Sequence, residues 1–350
     1  MAYTNIDDPS AYFQTATYTG SNNQSITNDG NSNLQPDFVW IKRRSESEVH
    51  IVTNSTTGVN AQLIPNLTNA ENSRTDQIQS FDTDGFTLGT DLAGWSNING
   101  STYVAWQWKA NAGTTSSNTD GSKTATVQAN QDAGFSIVTY AGSGSASTVG
   151  HGLADTPDVI IFKNRSAANV WATYHQGLGN NLKLELNSNI AKDSDGSFMN
   201  GTLPTSSVFT VGASVNTNGS GSNYVAYAFA EKQGYSKFGS YVGNGSADGA
   251  FVYTGFKPAF VMLKKTNGVG AWIMYDNKRN AYTGNYIYYL LQTNEGDAEI
   301  TSVSYPIDFL SNGFKLRGAS LTNTSGDTYI YMAFAENPFT TSTGIPTTAR

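Results

Sequence analysis

Gln35-Pro36-Asp37-Phe38-Val39-Trp40-Ile41-Lys42-Arg43-Arg44 returns as Thr156-Pro157-Asp158-Val159-Ile160-Ile161-Phe162-Lys163-Asn164-Arg165, and again as Lys257-Pro258-Ala259-Phe260-Val261-Met262-Leu263-Lys264-Lys265-Thr266. In each stretch the proline holds the preceding residue in extended geometry, and a short apolar run ending in Lys or Arg reads as a buried strand. Residues that recur in every copy of a repeat are explained first as fold, so function is sought where the copies differ.

The likeness extends outward from these blocks. Upstream, Tyr18, Tyr140 and Tyr241 each close a strand that runs into a Gly/Ser/Asn turn. Downstream, Val170-Trp171-Ala172-Thr173-Tyr174 matches Ala271-Trp272-Ile273-Met274-Tyr275, and copy one substitutes Val49-His50-Ile51-Val52. A variable middle follows, in which Leu182-Lys183-Leu184-Glu185-Leu186 alternates as a strand with one wet face should. Then come strands around Phe86, Phe209 and Phe314, and a closing aromatic strand at Tyr103-Val104-Ala105-Trp106, Tyr224-Val225-Ala226-Tyr227 and Tyr329-Ile330-Tyr331-Met332. Some six short strands per copy, about 8 to 12 residues apart and joined by turn residues, predict an all-β chain. The expected architecture is three tandem, related, antiparallel β-sandwich-like modules, with one pseudo-threefold β body as the alternative. The expected boundaries are 1–110, including a short N-terminal segment, then 135–233 and 234–337. A Thr/Ser/Asn-rich linker at 111–134 has room for one short strand at Thr124–Ala129, and 338–350 reads as an extended tail that orders only if a neighbour holds it.

Composition narrows the function classes. Across 350 residues, 20 basic and 27 acidic side chains give a net charge of -7. With no basic run, this argues against gripping a nucleic-acid backbone. Cysteine is absent, which removes disulfides and thiolate metal sites. No apolar stretch reaches the roughly 18 residues of a membrane span, and Met1 to Pro9 lacks the pattern of a signal peptide, so synthesis in a cytosol without membrane insertion is expected.

Candidate chemistry is sparse. His50, His151 and His175 fall in different slots of different copies and read as surface or loop histidines rather than a metal triad. Asp82-Thr83-Asp84-Gly85, Asp193-Ser194-Asp195-Gly196 and Asp7-Asp8 read as turn chemistry, since none continues into a full calcium loop. Glu295, Asp297 and Glu299 are specific to copy three; they could contribute to the carboxylate pair of a glycosidase, and they equally well keep a loop soluble. Trp40, Trp106, Trp108, Trp171 and Trp272 occupy strand slots filled by other large apolar residues in sister copies, and read as core. Candidate recognition residues are those on loops where the copies diverge: Trp95, in a loop insertion of copy one, and Tyr282 and Tyr286, in the tyrosine-rich run of copy three. No catalytic residue, metal site or cofactor is expected, and the chain reads as non-enzymatic.

The blocks Pro36–Arg44, Tyr103–Ala110 and Gly234–Gly249 resemble a repeat family in tail-fibre and other minor virion proteins of marine tailed bacteriophages. The likeness runs from about Asp7 to about Phe339. It implies a structural component of the virion, made in the host cytoplasm and often placed at the host-facing end of the particle. Its partners would be other virion proteins, further copies of itself, with a homotrimer favoured, and a host surface glycan or protein. A capsid decoration or fibre-adaptor protein is the second structural expectation, and a glycan-binding or glycan-degrading tail protein the third. The family carries over no binding residue. Its long fibres attach such repeats to a separate anchoring region, whereas here the repeats begin close to Met1, so anchoring would fall to a terminal segment or to a repeat itself.

Overall fold

The structure, a computed structural model, describes residues 2–280 and 285–347. It is all-β and β-sandwich-like, built from antiparallel sheets with no barrel. Each copy forms a large sheet of the same strand order. In copy one the order is Phe13–Thr19, Thr102–Trp108, Phe38–Arg43, His50–Asn54, Ala61–Leu63, Asn72–Ser73. In copy two it is Phe135–Ala141, Asn223–Phe229, Val159–Asn164, Ala172–His175, Leu182–Glu185, Asp193–Ser194. In copy three it is Ser236–Val242, Thr328–Pro338, Phe256–Lys265, Trp272–Asp276, Tyr289–Gln292, Ile300–Thr301. A smaller sheet faces each large one, centred on Gly85–Leu88, Val208–Val211 and Gly313–Leu316.

The Pro-led strands are apolar on both faces because both faces are covered. Val39 and Ile41 pack onto Phe86 and Leu88 of copy one's small sheet, while Phe38 and Trp40 point the other way. Ile160 and Phe162 divide from Val159 and Ile161 in the same manner, as do Val261 and Leu263 from Phe260 and Met262. The second set from all three copies meets in one central cluster that also holds Trp108, Phe229 and Phe334. Here Phe13 stacks on Phe334 at 5.3 Å, and Phe38 meets Tyr227 edge to face at 4.7 Å. Each copy keeps a core of its own between its large and small sheets, and the opposite faces of the three large sheets meet in this shared cluster.

The segment expected as a linker, 111–134, carries two strands, one of them at the short strand expected over Thr124–Ala129. Ser116–Asn118 and Ala125–Asn130 extend the edge of copy two's large sheet beyond Phe135–Ala141, with Val127 and Ala125 in its core. Of the expected tail, the described residues 338–347 are tied to the chain: Phe339 N donates to Gly255 O, and Asp7 accepts from Ser342 N and Oγ at 2.6 Å each.

Three seams of one hand join the copies. His50, Trp171 and Trp272 occupy one slot, their backbone N–H groups donating to Asn66, Asn187 and Asn294 Oδ1. Trp171 Nε1 donates to Ile64 O of copy one at 3.0 Å, and Trp272 Nε1 to Glu185 O of copy two at 2.9 Å. His50 closes the circuit on Gln292 O of copy three at 3.0 Å. A carbonyl can only accept, so His50 Nε2 carries the proton and Nδ1 accepts from Trp40 Nε1 at 3.0 Å. Backbone bonds repeat the circuit: Glu71 N to Arg165 O, Lys192 N to Thr266 O and Glu299 N to Arg44 O, each 2.9 Å. Arg165 and Arg44 add bidentate pairs to Glu71 and Glu299. A head-to-tail contact repeated three times closes a ring, which in most proteins requires separate subunits.

Candidate functional site

Pleat geometry sends alternate residues of each small sheet outward, and the three copies differ there. Ile26, Val149 and Val252 share the inward slot opposite Phe86, Phe209 and Phe314. The outward neighbours are Ser25 and Thr27 in copy one, Thr148 and Gly150 in copy two, and Phe251 and Tyr253 in copy three. Ser25 and Thr87 hydroxyls bond to each other at 2.7 Å, so small polar residues complete this surface where they occur. Copy three carries rings there instead, and they reach the surface, Phe251 being 46% and Tyr253 55% exposed.

Copy three's small sheet is also the widest, running Phe251–Tyr253, Gly313–Leu316, Ile307–Leu310, Tyr286–Ile287. Register places Phe251 opposite Lys315, Lys315 opposite Asp308 and Asp308 opposite Tyr286. Side chains directly opposite in antiparallel pairs share a face, so these four form a row across the sheet, roughly 14 Å long from three strand spacings. The Phe251 ring leans over Gly313, where an added Cβ would lie 3.1 Å from the ring. Tyr253 OH is 3.3 Å from Tyr3 OH, which is itself fixed on Gly255 O at 2.6 Å.

Between the rings lies a charged strip. Lys315 Nζ pairs with Asp248 at 2.8 Å, and Arg317 Nε with Asp308 at 2.6 Å. The Lys315 ammonium holds the Asp248 carboxyl below the ordinary carboxylate range. Two cations against two carboxylates leave the strip neutral, with Asp248 exposed, Lys315 and Arg317 partly exposed, and Asp308 buried beneath Arg317.

Of the candidates read from the sequence, Tyr286 lies on this row and is 39% exposed. Tyr282 falls outside the described residues. Trp95 is half-buried against copy one's core, with the Arg74 guanidinium 5.1 Å from its ring centre. Its loop recurs in every copy. Asn97, Asn218 and Asn323 Nδ2 donate to Gly89, Gly212 and Gly318 O, and Tyr18, Tyr140 and Tyr241 OH donate to Ser96, Thr217 and Thr322 O. Copy one only lengthens this scaffold loop, so Trp95 is held as an anchor. Phe251 and Tyr253 are not among the sequence candidates, although aligning Ser25 and Thr148 with Phe251 shows the change.

The histidines are not at the surface. His50, His151 and His175 are all fully buried, and each ring is bonded on both nitrogens. Burial pushes His50 down to about 3 and His175 to about 4. Lys42, Lys163 and Lys264 end the Pro-led strands with Nζ on backbone carbonyls, and burial pulls each down to about 8. Asp8 caps a short 3-10 turn, Asp195 accepts from Ser197 N in its own turn, and Asp84 accepts from Leu34 N of a distant segment. Glu299 is no solvated loop residue, since it joins Arg44 and the buried Arg279 at the seam. A cleft of about 190 Å³ opens between copies one and three, where Gln14 is engaged with Ser10 O and Gly30 N and Lys278 with Asp29, while the buried Thr15 hydroxyl has no hydrogen-bond partner. Among the described residues no group of three His, Asp or Glu is placed to share a metal ion.

The chain belongs to a family described as a domain of unknown function, DUF7483, whose sequence model matches residues 8–338. No curated protein and no solved structure matches it.

Proposed function

We propose that this chain is a non-enzymatic structural component of a bacteriophage particle, in a tail fibre or similar appendage, and that it contributes to host attachment through the outer face of copy three. The observation that carries this reading is the division of labour among the copies. Recurring polar side chains are engaged in internal bonds, at the seams and in the Asn-centred loops, whereas one face of one copy replaces Ser and Thr with exposed rings. Exposed aromatics that the fold does not need are a mark of recognition surfaces. The motif resemblance supplies the biological setting.

Competition with adsorption tests this. Purified protein, added in excess before particles that carry it, is expected to slow their attachment to host cells, and unchanged adsorption overturns the reading. The homotrimer implied by the resemblance belongs to the same proposal, and light scattering of the purified chain measures it. A monomer mass would leave the attachment reading standing, because the seams are already closed within one chain.

A further inference from the structure

We propose that the outer face of copy three's small sheet binds a neutral saccharide chain, its sugar rings lying on Phe251, Tyr253 and Tyr286 and its hydroxyls meeting Lys315, Arg317 and Asp248. This rests on the attachment reading and names the chemical class of its ligand.

The pattern of the face selects the occupant. A pyranose has an apolar face of C–H bonds, polarised positive by the neighbouring oxygens, and a rim of hydroxyls that both donate and accept. Aromatic faces are negative and suit the first, while paired ions offering acceptors and donors side by side suit the second. The row presents both along roughly 14 Å, the reach of a short oligosaccharide rather than a single sugar. A protein partner would favour a continuous apolar centre with charge at its rim, whereas here the charge lies in the middle and the rings at the ends. The strip pairs its two cations with two carboxylates, so it offers no net attraction to a polyanion, and the chain as a whole carries -7. Copy one supplies the internal control, with exposed Ser25 and Thr27 where Phe251 and Tyr253 stand, whereas in copy two Asn118 and Ser122 cover Gly150 and Thr148.

The test uses the full chain and a panel of maltohexaose, cellohexaose, laminarihexaose and chitohexaose, followed by saturation-transfer NMR and calorimetric titration. At least one hexasaccharide is expected to bind, with affinity unchanged by added salt. The double variant Phe251→Ser/Tyr253→Thr, which installs copy one's residues, is expected to weaken that binding at least tenfold while the melting temperature holds. Leu92→Ser, at an exposed apolar residue of another loop, is expected to change nothing. The proposal is overturned if no hexasaccharide binds, if the double variant binds as well as the parent, or if binding collapses in added salt. Adsorption separates the two readings. If the parent competes with particles and the double variant competes equally well, attachment stands and the saccharide face falls. If the variant loses competition although no sugar binds the parent, the face contacts a protein. If the parent does not compete, attachment falls, and the titration alone judges the sugar site.

Discussion

His50 stands where the other copies have tryptophan, and its surroundings dictate one charge state. Nε2 must donate to Gln292 O and Nδ1 must accept from Trp40, so a second proton would abolish one of these bonds inside a fully buried site that Lys42 and Arg279 already make unfavourable for positive charge. The folded value of about 3 lies below the unfolded value near 6.5. The unfolded chain therefore binds a proton that the folded chain refuses, and the stabilisation is complete above about pH 6.5 and lost progressively as pH falls. His175 acts in the same sense, whereas Asp158, pushed up to about 6 by burial, opposes them. His50→Gln retains a donor and an acceptor without titrating and isolates the effect. In urea melts between pH 6 and pH 4, the parent should lose about 1.4 kcal/mol per pH unit relative to this variant, one proton's worth. Parallel pH profiles for the two proteins would contradict the assignment.

At the level of paired strands, the copies conserve volume rather than sequence. Copy one sets Trp40 beside His50, copy two Ile161 beside Trp171, and copy three Met262 beside Trp272. The large ring has changed strands, and its neighbour has changed size to match. Interiors packed to crystal density tolerate such exchanges only jointly. His50→Trp alone should cost about 1–3 kcal/mol through overcrowding. Adding Trp40→Ile should recover at least about 1 kcal/mol of that loss, measured as the coupling term of a double-mutant cycle. This compensation also marks what could be read from the chain beforehand. Strand positions and the repeat were legible, because Pro, Gly and apolar runs act locally. The shared interior was not, because Phe38 and Val39 are equally apolar and nothing in their order says which faces the axis. His50 read as a departure from the tryptophan motif, since its seam partner, Gln292, lies in another copy. Phe251 and Tyr253 alternate with Val252 as they would in a buried strand, and only the structure shows which side is wet.

Across the whole molecule, a common interior predicts common fate. Phe334 touches rings from every copy, meeting Phe13, Trp108, Phe229 and Phe260 within 6.3 Å. Phe334→Ala should therefore cost about 3–5 kcal/mol and lower a single calorimetric transition as a unit. Separate transitions, with only copy three shifted, would mean that the central cluster does not couple the copies. The ring of seams carries a further consequence, for the birth of the protein. Arg44 and His50 emerge from the ribosome early, yet their partners Glu299 and Gln292 come from the last copy made. Until then the nascent chain holds two-thirds of an aromatic interior with one flank open to water. Contacts of such sequence separation form slowly, and an exposed apolar flank invites association with other chains. Synthesis that stalls before copy three should leave an insoluble product, so the yield of this protein depends on finishing it.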